Sequence, residues 1–113
     1  MGKIYLAIKD NGMKAIPLSS ILAIEAQDHY ASIHYICEEK VENLFVFAKL
    51  GDFEKSLPSN FIRVGRSQII NTRRVLKANG NELKFAETYV LRLKTKASLK
   101  FFYSELSLTV KKK

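Results

Sequence analysis

Cysteine occurs once in these 113 residues, at Cys37, so the chain cannot close an internal disulfide. Proline occurs only at Pro17 and Pro58 and the five glycines are scattered, which leaves no linker-like stretch. No apolar run approaches the roughly 20 residues of a membrane-spanning helix. The opening Met1-Gly2-Lys3-Ile4-Tyr5-Leu6 lacks the long apolar core and cleavage site of a secretory signal. Together these gaps predict a single domain over residues 1–113, with no membrane segment, in a reducing cytoplasm. Catalytic signatures are missing as well. There is no glycine-rich phosphate loop and no recognisable Ser/His/Asp spacing. His29 and His34 are an odd number of positions apart, which on a strand sends them to opposite faces, and one cysteine adds little to a metal site. The expectation is a non-enzymatic chain with no metal, no cofactor and no small-molecule substrate.

Acidic residues are scarce in one half only. Residues 1–56 carry 6 Lys/Arg and 8 Asp/Glu, whereas residues 57–113 carry 13 Lys/Arg and 3 Asp/Glu. The net charge of +8 is therefore entirely in the second half, and Lys111, Lys112 and Lys113 account for only part of it. Such lopsidedness points to a polyanion-facing surface. An apolar fraction of 47%, with 7 Phe and 5 Tyr, is enough for a packed core.

The hydrophobic pattern is mostly of period two. Ile4, Leu6 and Ile8 alternate, Asp10-Asn11-Gly12 signals a turn, and residues 13–16 return as a second arm. Pro17 to Ser20 suits a short helical turn. Strands are expected near residues 21–25, 30–36, 43–48 and 61–64, and Asn79-Gly80 marks a hairpin between 75–78 and 82–85. A further strand is expected at 89–93. Helical spacing is present in Leu50, Phe53 and Leu57, and again in Leu99, Phe102, Tyr103 and Leu106, which predicts a C-terminal helix over 97–107 followed by a basic tail, 111–113. Parallel βαβ units need longer crossovers than these. The fold expected is mainly β: antiparallel, with eight or nine short strands and two or three short helices. Tyr30 and Phe61 are expected in the core, and Cys37 near a strand end.

The segment Phe61-Ile62-Arg63-Val64-Gly65-Arg66-Ser67-Gln68-Ile69-Ile70-Asn71-Thr72-Arg73-Arg74 alternates apolar anchors with arginines. Gly65 opens backbone conformations closed to other residues, so Arg66 beside it can project outwards. A guanidinium suits both phosphate and the O6/N7 edge of guanine. Ser67 can donate to a phosphate or hold a turn. Asn71 reads as a turn residue. Arg63 can face a ligand or pair with an acidic neighbour such as Glu25.

Two stretches carry a family resemblance. Ile24-Glu25-Ala26-Gln27-Asp28-His29-Tyr30, followed about thirty residues later by Leu57-Pro58-Ser59-Asn60-Phe61-Ile62-Arg63-Val64-Gly65-Arg66-Ser67-Gln68-Ile69-Ile70-Asn71, resembles the LytTR family of bacterial DNA-binding domains. That family reads Ile-Glu-Ala, three variable positions and Tyr, then Leu-Pro-x-x-Phe-x-Arg-x-His-(Arg/Lys)-Ser-x-(Ile/Val)-(Ile/Val)-Asn. The resemblance covers nearly the whole chain. It implies an elongated antiparallel β fold without a recognition helix, with strand-end loops entering successive major grooves and two copies on a direct repeat. It also implies a cytoplasmic transcriptional regulator, commonly the output domain of a response regulator. Neither a receiver nor a membrane segment is in this sequence, so the chain is expected to be free-standing or excised. Carried over by position, DNA contacts fall at His29, Arg66 and Lys94 to Lys96. With Arg63 and Ser67 these make the expected double-stranded DNA site: His29, Arg63, Arg66, Ser67, Lys94 and Lys96. The chain departs from the family at Gly65, where His is frequent, and at Lys94, where Ser is. A homodimer on DNA is left open. Two rival readings are a structured-RNA-binding β domain, which sheet aromatics exposed for stacking would favour, and an interaction module for an acidic protein or an anionic membrane.

Overall fold

Four consecutive apolar residues, Ile21-Leu22-Ala23-Ile24, form a strand buried on both faces, and the rest of the chain is arranged around it. The computed structural model describes residues 2–8, 12–86 and 89–110. β1 (Lys3–Ile8) and β2 (Gly12–Pro17) make an antiparallel hairpin, and a 3-10 turn at Leu18–Ser20 leads into β3 (Ile21–Gln27). β4 (Tyr30–Cys37) and β5 (Lys40–Val46) follow as a meander, then the short helix α1 (Leu50–Glu54). β6 (Phe61–Val64) and β7 (Gln68–Asn71) return to the sheet. A 3-10 turn (Thr72–Arg74) precedes β8 (Lys77–Asn79), β9 (Glu82–Ala86) and β10 (Tyr89–Arg92), and α2 (Lys96–Val110) comes last.

β3 is the centre of a five-stranded sheet in the order β5-β4-β3-β7-β6, with antiparallel pairing throughout; β8, β9 and β10 form a separate three-stranded sheet. Successive residues of a strand face opposite sides, and this divides the core in two. Ile24, Ile33 and Ile69 point to one side, where Ile16 of β2 and Leu50 and Phe53 of α1 pack on them. Ala23 and Ile70 point to the other, against Leu83, Phe85 and Leu91 of the three-stranded sheet and Phe102 of α2. The five-stranded sheet is therefore covered on both faces, and the molecule measures 49 × 29 × 24 Å.

The expected antiparallel β fold is the observed one. Three local expectations need correction. β7 was not expected as a strand, because four consecutive buried residues, Gln68 to Asn71, carry no alternation. The C-terminal helix is longer than expected and starts at Lys96, since Thr95 caps it by accepting from the Ser98 N–H at 3.0 Å. Tyr30 is not core but 50% exposed at the start of β4, whereas Phe61 packs partly buried against the α1-side core. Asn71 does act as a turn residue: its side-chain oxygen accepts from the Arg73 N–H and the Asn60 amide, and its amide donates to the Ile21 carbonyl. Cys37 ends β4, exposed. The expected turn at Asp10-Asn11 and the tail at 111–113 lie outside the described residues.

Candidate nucleic-acid interface

Antiparallel pairing brings loops that are distant in sequence to the same end of a sheet. β3 runs against both β4 and β7, so the β3–β4 turn (Asp28-His29) and the β6–β7 turn (Gly65-Arg66-Ser67) emerge side by side. The Ala26 N–H donates to the Ser67 carbonyl at 2.8 Å across that junction. The third segment arrives through β10. The buried Gln68 amide donates to the Arg92 carbonyl at 2.8 Å, which holds the end of β10 over the start of β7 and leaves Lys94 and Lys96 exposed beyond it.

The β6–β7 turn is built tightly. Gly65 has φ of +74°, in the left-handed region. A Cβ at Gly65 would stand 2.5 Å from the Ser98 Oγ on the first turn of α2, and that hydroxyl is itself held by Thr95 Oγ1 at 2.9 Å. Glycine here lets the turn and α2 approach each other. Gly65→His, which would install the residue frequent in the family, is expected to cost about 1–3 kcal/mol through backbone strain and the displaced hydroxyl. A lowered urea midpoint at unchanged slope would register it.

Arg63 serves the turn from beneath. Its Nη1 meets Glu54 Oε1 at 3.0 Å, its Nε donates to the Gly65 carbonyl at 3.3 Å and its Nη2 to the Arg66 carbonyl at 3.1 Å. The pairing with Glu25 considered from sequence is thus replaced by one with Glu54. Arg66 itself is exposed, and Ser67 is half-buried. His29 is exposed, and its ring packs against Phe47 at 6.3 Å between centroids.

Glu25 is occupied elsewhere. His34 Nε2 lies 3.2 Å from its Oε1, and the Gln68 amide donates to its Oε2 at 3.1 Å. The His34 hydrogen bond holds the Glu25 carboxyl below its ordinary range, against the opposing effect of burial, and Gln68 and the charge of Lys94 reinforce it. Tyr89 stacks on His34 at 4.9 Å, and its buried hydroxyl has no partner among the described residues. Burial, helped by the Glu25 charge, pushes that phenol well above its ordinary range.

A cleft of about 360 Å³ joins these parts: Asp28, Lys49, Lys55, Arg63 and Arg66 are among the residues lining it. Lys49 and Lys55 flank α1 and were not among the expected contacts, since nothing in their local sequence sets them apart from ordinary solvated lysines. Of the expected six, His29, Arg66, Ser67 and Lys94 sit on three loops at one end of the fold, Lys96 follows the third of them as the first residue of α2, and Arg63 braces one of those loops.

Comparison with known proteins bears directly on this arrangement. A family model described as the LytTr DNA-binding domain matches residues 11–108. The chain belongs to the LytTR family of DNA-binding domains. It is thus a DNA-binding domain of the kind found in bacterial transcriptional regulators. The structure is similar to the LytTr DNA-binding domain of a protein described as a methyl-accepting/DNA response regulator from Bacillus cereus. That match has a TM-score of 0.68 at 23% identity, and it covers 94% of this chain and 96% of the other. At that identity the likeness supports the LytTR fold. No curated protein matches. Tyr30, Phe45 and Phe47 are exposed aromatics of the kind an RNA-binding sheet would use, but the family match favours DNA. No helix of the described residues is long and apolar enough to cross a membrane.

Proposed function

We propose that this LytTR domain recognises a specific duplex sequence by setting its three loops into successive major grooves, with two copies on a direct repeat. The observation that carries the reading is the gathering of His29, Arg66 and the Lys94–Lys96 segment at one end of the five-stranded sheet, with Lys49 and Lys55 beside them. Phosphate contacts from the lysines give most of the affinity, and base contacts from Arg66 and His29 give the discrimination. Arg63 positions Arg66 by tying down the Gly65 and Arg66 carbonyls of the turn. A regulator of this kind works in the cytoplasm, and pairing of two copies on DNA requires no dedicated dimer helix.

Selection from random duplexes at two salt concentrations tests this. Enrichment of a spaced direct repeat is expected, and enrichment of nothing would overturn the reading. With about four to six phosphates neutralised per copy, log K against log salt should fall with a slope of roughly −4 to −5. Arg66→Ala should flatten the preference among sites, at about 1–3 kcal/mol on the cognate site if its contact is bidentate. Lys96→Ala should weaken all sites alike and reduce the slope by roughly 1. Two variants that bind cognate and random duplexes just as the parent does would remove these residues from the interface. Competition with single-stranded RNA should leave the duplex complex intact.

A further inference from the structure

Phe47 is a large apolar side chain left 76% exposed at the bend between β5 and α1, although its chain neighbours Val46 and Ala48 pack in or against the α1-side core. Its ring is held edge-on against Tyr30 at 5.5 Å between centroids and tilted against His29 at 6.3 Å. Two aromatic neighbours thus support the ring in its outward position, and a side chain already supported in its binding orientation loses less entropy when something binds it. The recess in front of it, about 330 Å³, is lined by Asp28, His29, Phe47, Ala48, Lys49 and Asp52.

The chemistry of that wall selects its occupant. The carboxylates of Asp28 and Asp52 disfavour a phosphate at the ring, whereas Lys49 beside them suits one at the edge of the recess. An apolar ring rimmed by carboxylates and a histidine suits the uncharged edge of a base. In the major groove the one apolar group on a base edge is the C5-methyl of thymine, which aromatic side chains contact. We infer that Phe47 is a specificity-determining residue that packs on a thymine methyl group, carried into the groove with His29. This rests on the groove-reading function proposed above, because it is the contact with His29 that takes Phe47 to the DNA.

The test changes single methyl groups. Each thymine of the selected site is replaced in turn by deoxyuridine, which removes only the C5-methyl, and binding is measured for the parent and for Phe47→Ala. The parent should lose about fourfold in affinity at one or two thymines, the equivalent of burying one methylene-sized group at ~0.8 kcal/mol. Phe47→Ala should be indifferent at those same positions, with an unchanged urea midpoint because the ring lies outside the core. Indifference of the parent to every replacement, or equal losses in both proteins, would overturn the assignment. So would a Phe47→Ala chain that differs from the parent only in sedimenting as a smaller species, since the ring would then face a second copy. A parent that shows no site preference at all would instead sink the groove reading itself, which separates the two failures.

Discussion

Phe102→Ala should cost about 3–5 kcal/mol of stability, the largest loss expected from any single change discussed for this protein. Phe102 is fully buried and is the residue through which α2 enters the core formed by Leu22, Val64, Ile70, Leu83, Phe85, Leu91 and Leu93. No other residue of the helix is an equally buried aromatic among those whose side chains are described. Truncation would leave a cavity between two sheets and a helix that cannot all collapse towards it. The neighbour Phe101, 44% exposed, is the internal control: Phe101→Ala should change stability by no more than about 0.5 kcal/mol. Urea unfolding followed by circular dichroism reads both. Because the same helix carries Lys96 and backs the Gly65 turn through Ser98, loosening it should weaken DNA binding too. Equal midpoints for the two variants would mean that α2 contributes little to the fold.

Gln68→Ala should cost about 2–4 kcal/mol, because it strands two polar groups at a buried junction. The Gln68 amide spans from Glu25 Oε2 to the Arg92 carbonyl and so ties the five-stranded sheet to β10. Without it, the Arg92 carbonyl loses this donor, and Glu25 keeps only His34. The loss should also be legible in DNA binding, since the same bond sets where Lys94 and Lys96 emerge relative to Arg66. Lower cognate affinity at temperatures where the variant is fully folded is the expected sign; unchanged affinity would mean that the loops are positioned by other contacts. Glu25 adds a pH signature. Its carboxyl is held below its ordinary value of 4.5, so its contribution to stability is complete above that value and is lost as pH falls through the lower, folded-state value. Glu25→Gln should therefore narrow the gap in stability between neutral and acidic solution, measured as urea midpoints from pH 6 downward.

Much of the architecture was legible in local pattern. Alternation and a turn signal marked the β1–β2 arms, runs of branched and aromatic residues marked β3 to β5, Asn79-Gly80 marked the β8–β9 hairpin, and helical spacing marked α1 and α2. The misses share one cause. β7 and the exposure of Tyr30 depend on what lies across the sheet, and neighbours in sequence carry no record of it. Four buried residues in a row mean a strand only when both faces are covered, and Tyr30, at the start of β4, sets its ring against the exposed Phe47 rather than in either core.

The candidate site divides the same way. Arg66 beside Gly65, and His29 in a turn, were identifiable from residue type and motif. The partner of Arg63 was not legible, because finding Glu54 there rather than Glu25 requires knowing that Glu25 is already taken by His34 and Gln68. Lys49, Lys55 and Phe47 had no local mark at all.

By itself the sequence determined the chemistry on offer and the class of fold: cations concentrated in one half, strands of period two, and turns at glycine and asparagine. Those are properties of adjacent residues, governed by local sterics and by burial of one face. Only the tertiary structure decided which side chains share a surface. Antiparallel pairing of β3 with both β4 and β7 places the turns at residues 28–29 and 65–67 together, and the Gln68 bridge adds the segment at 94–96. That juxtaposition comes from hydrogen bonds and packing between residues far apart in the chain, which no local pattern encodes.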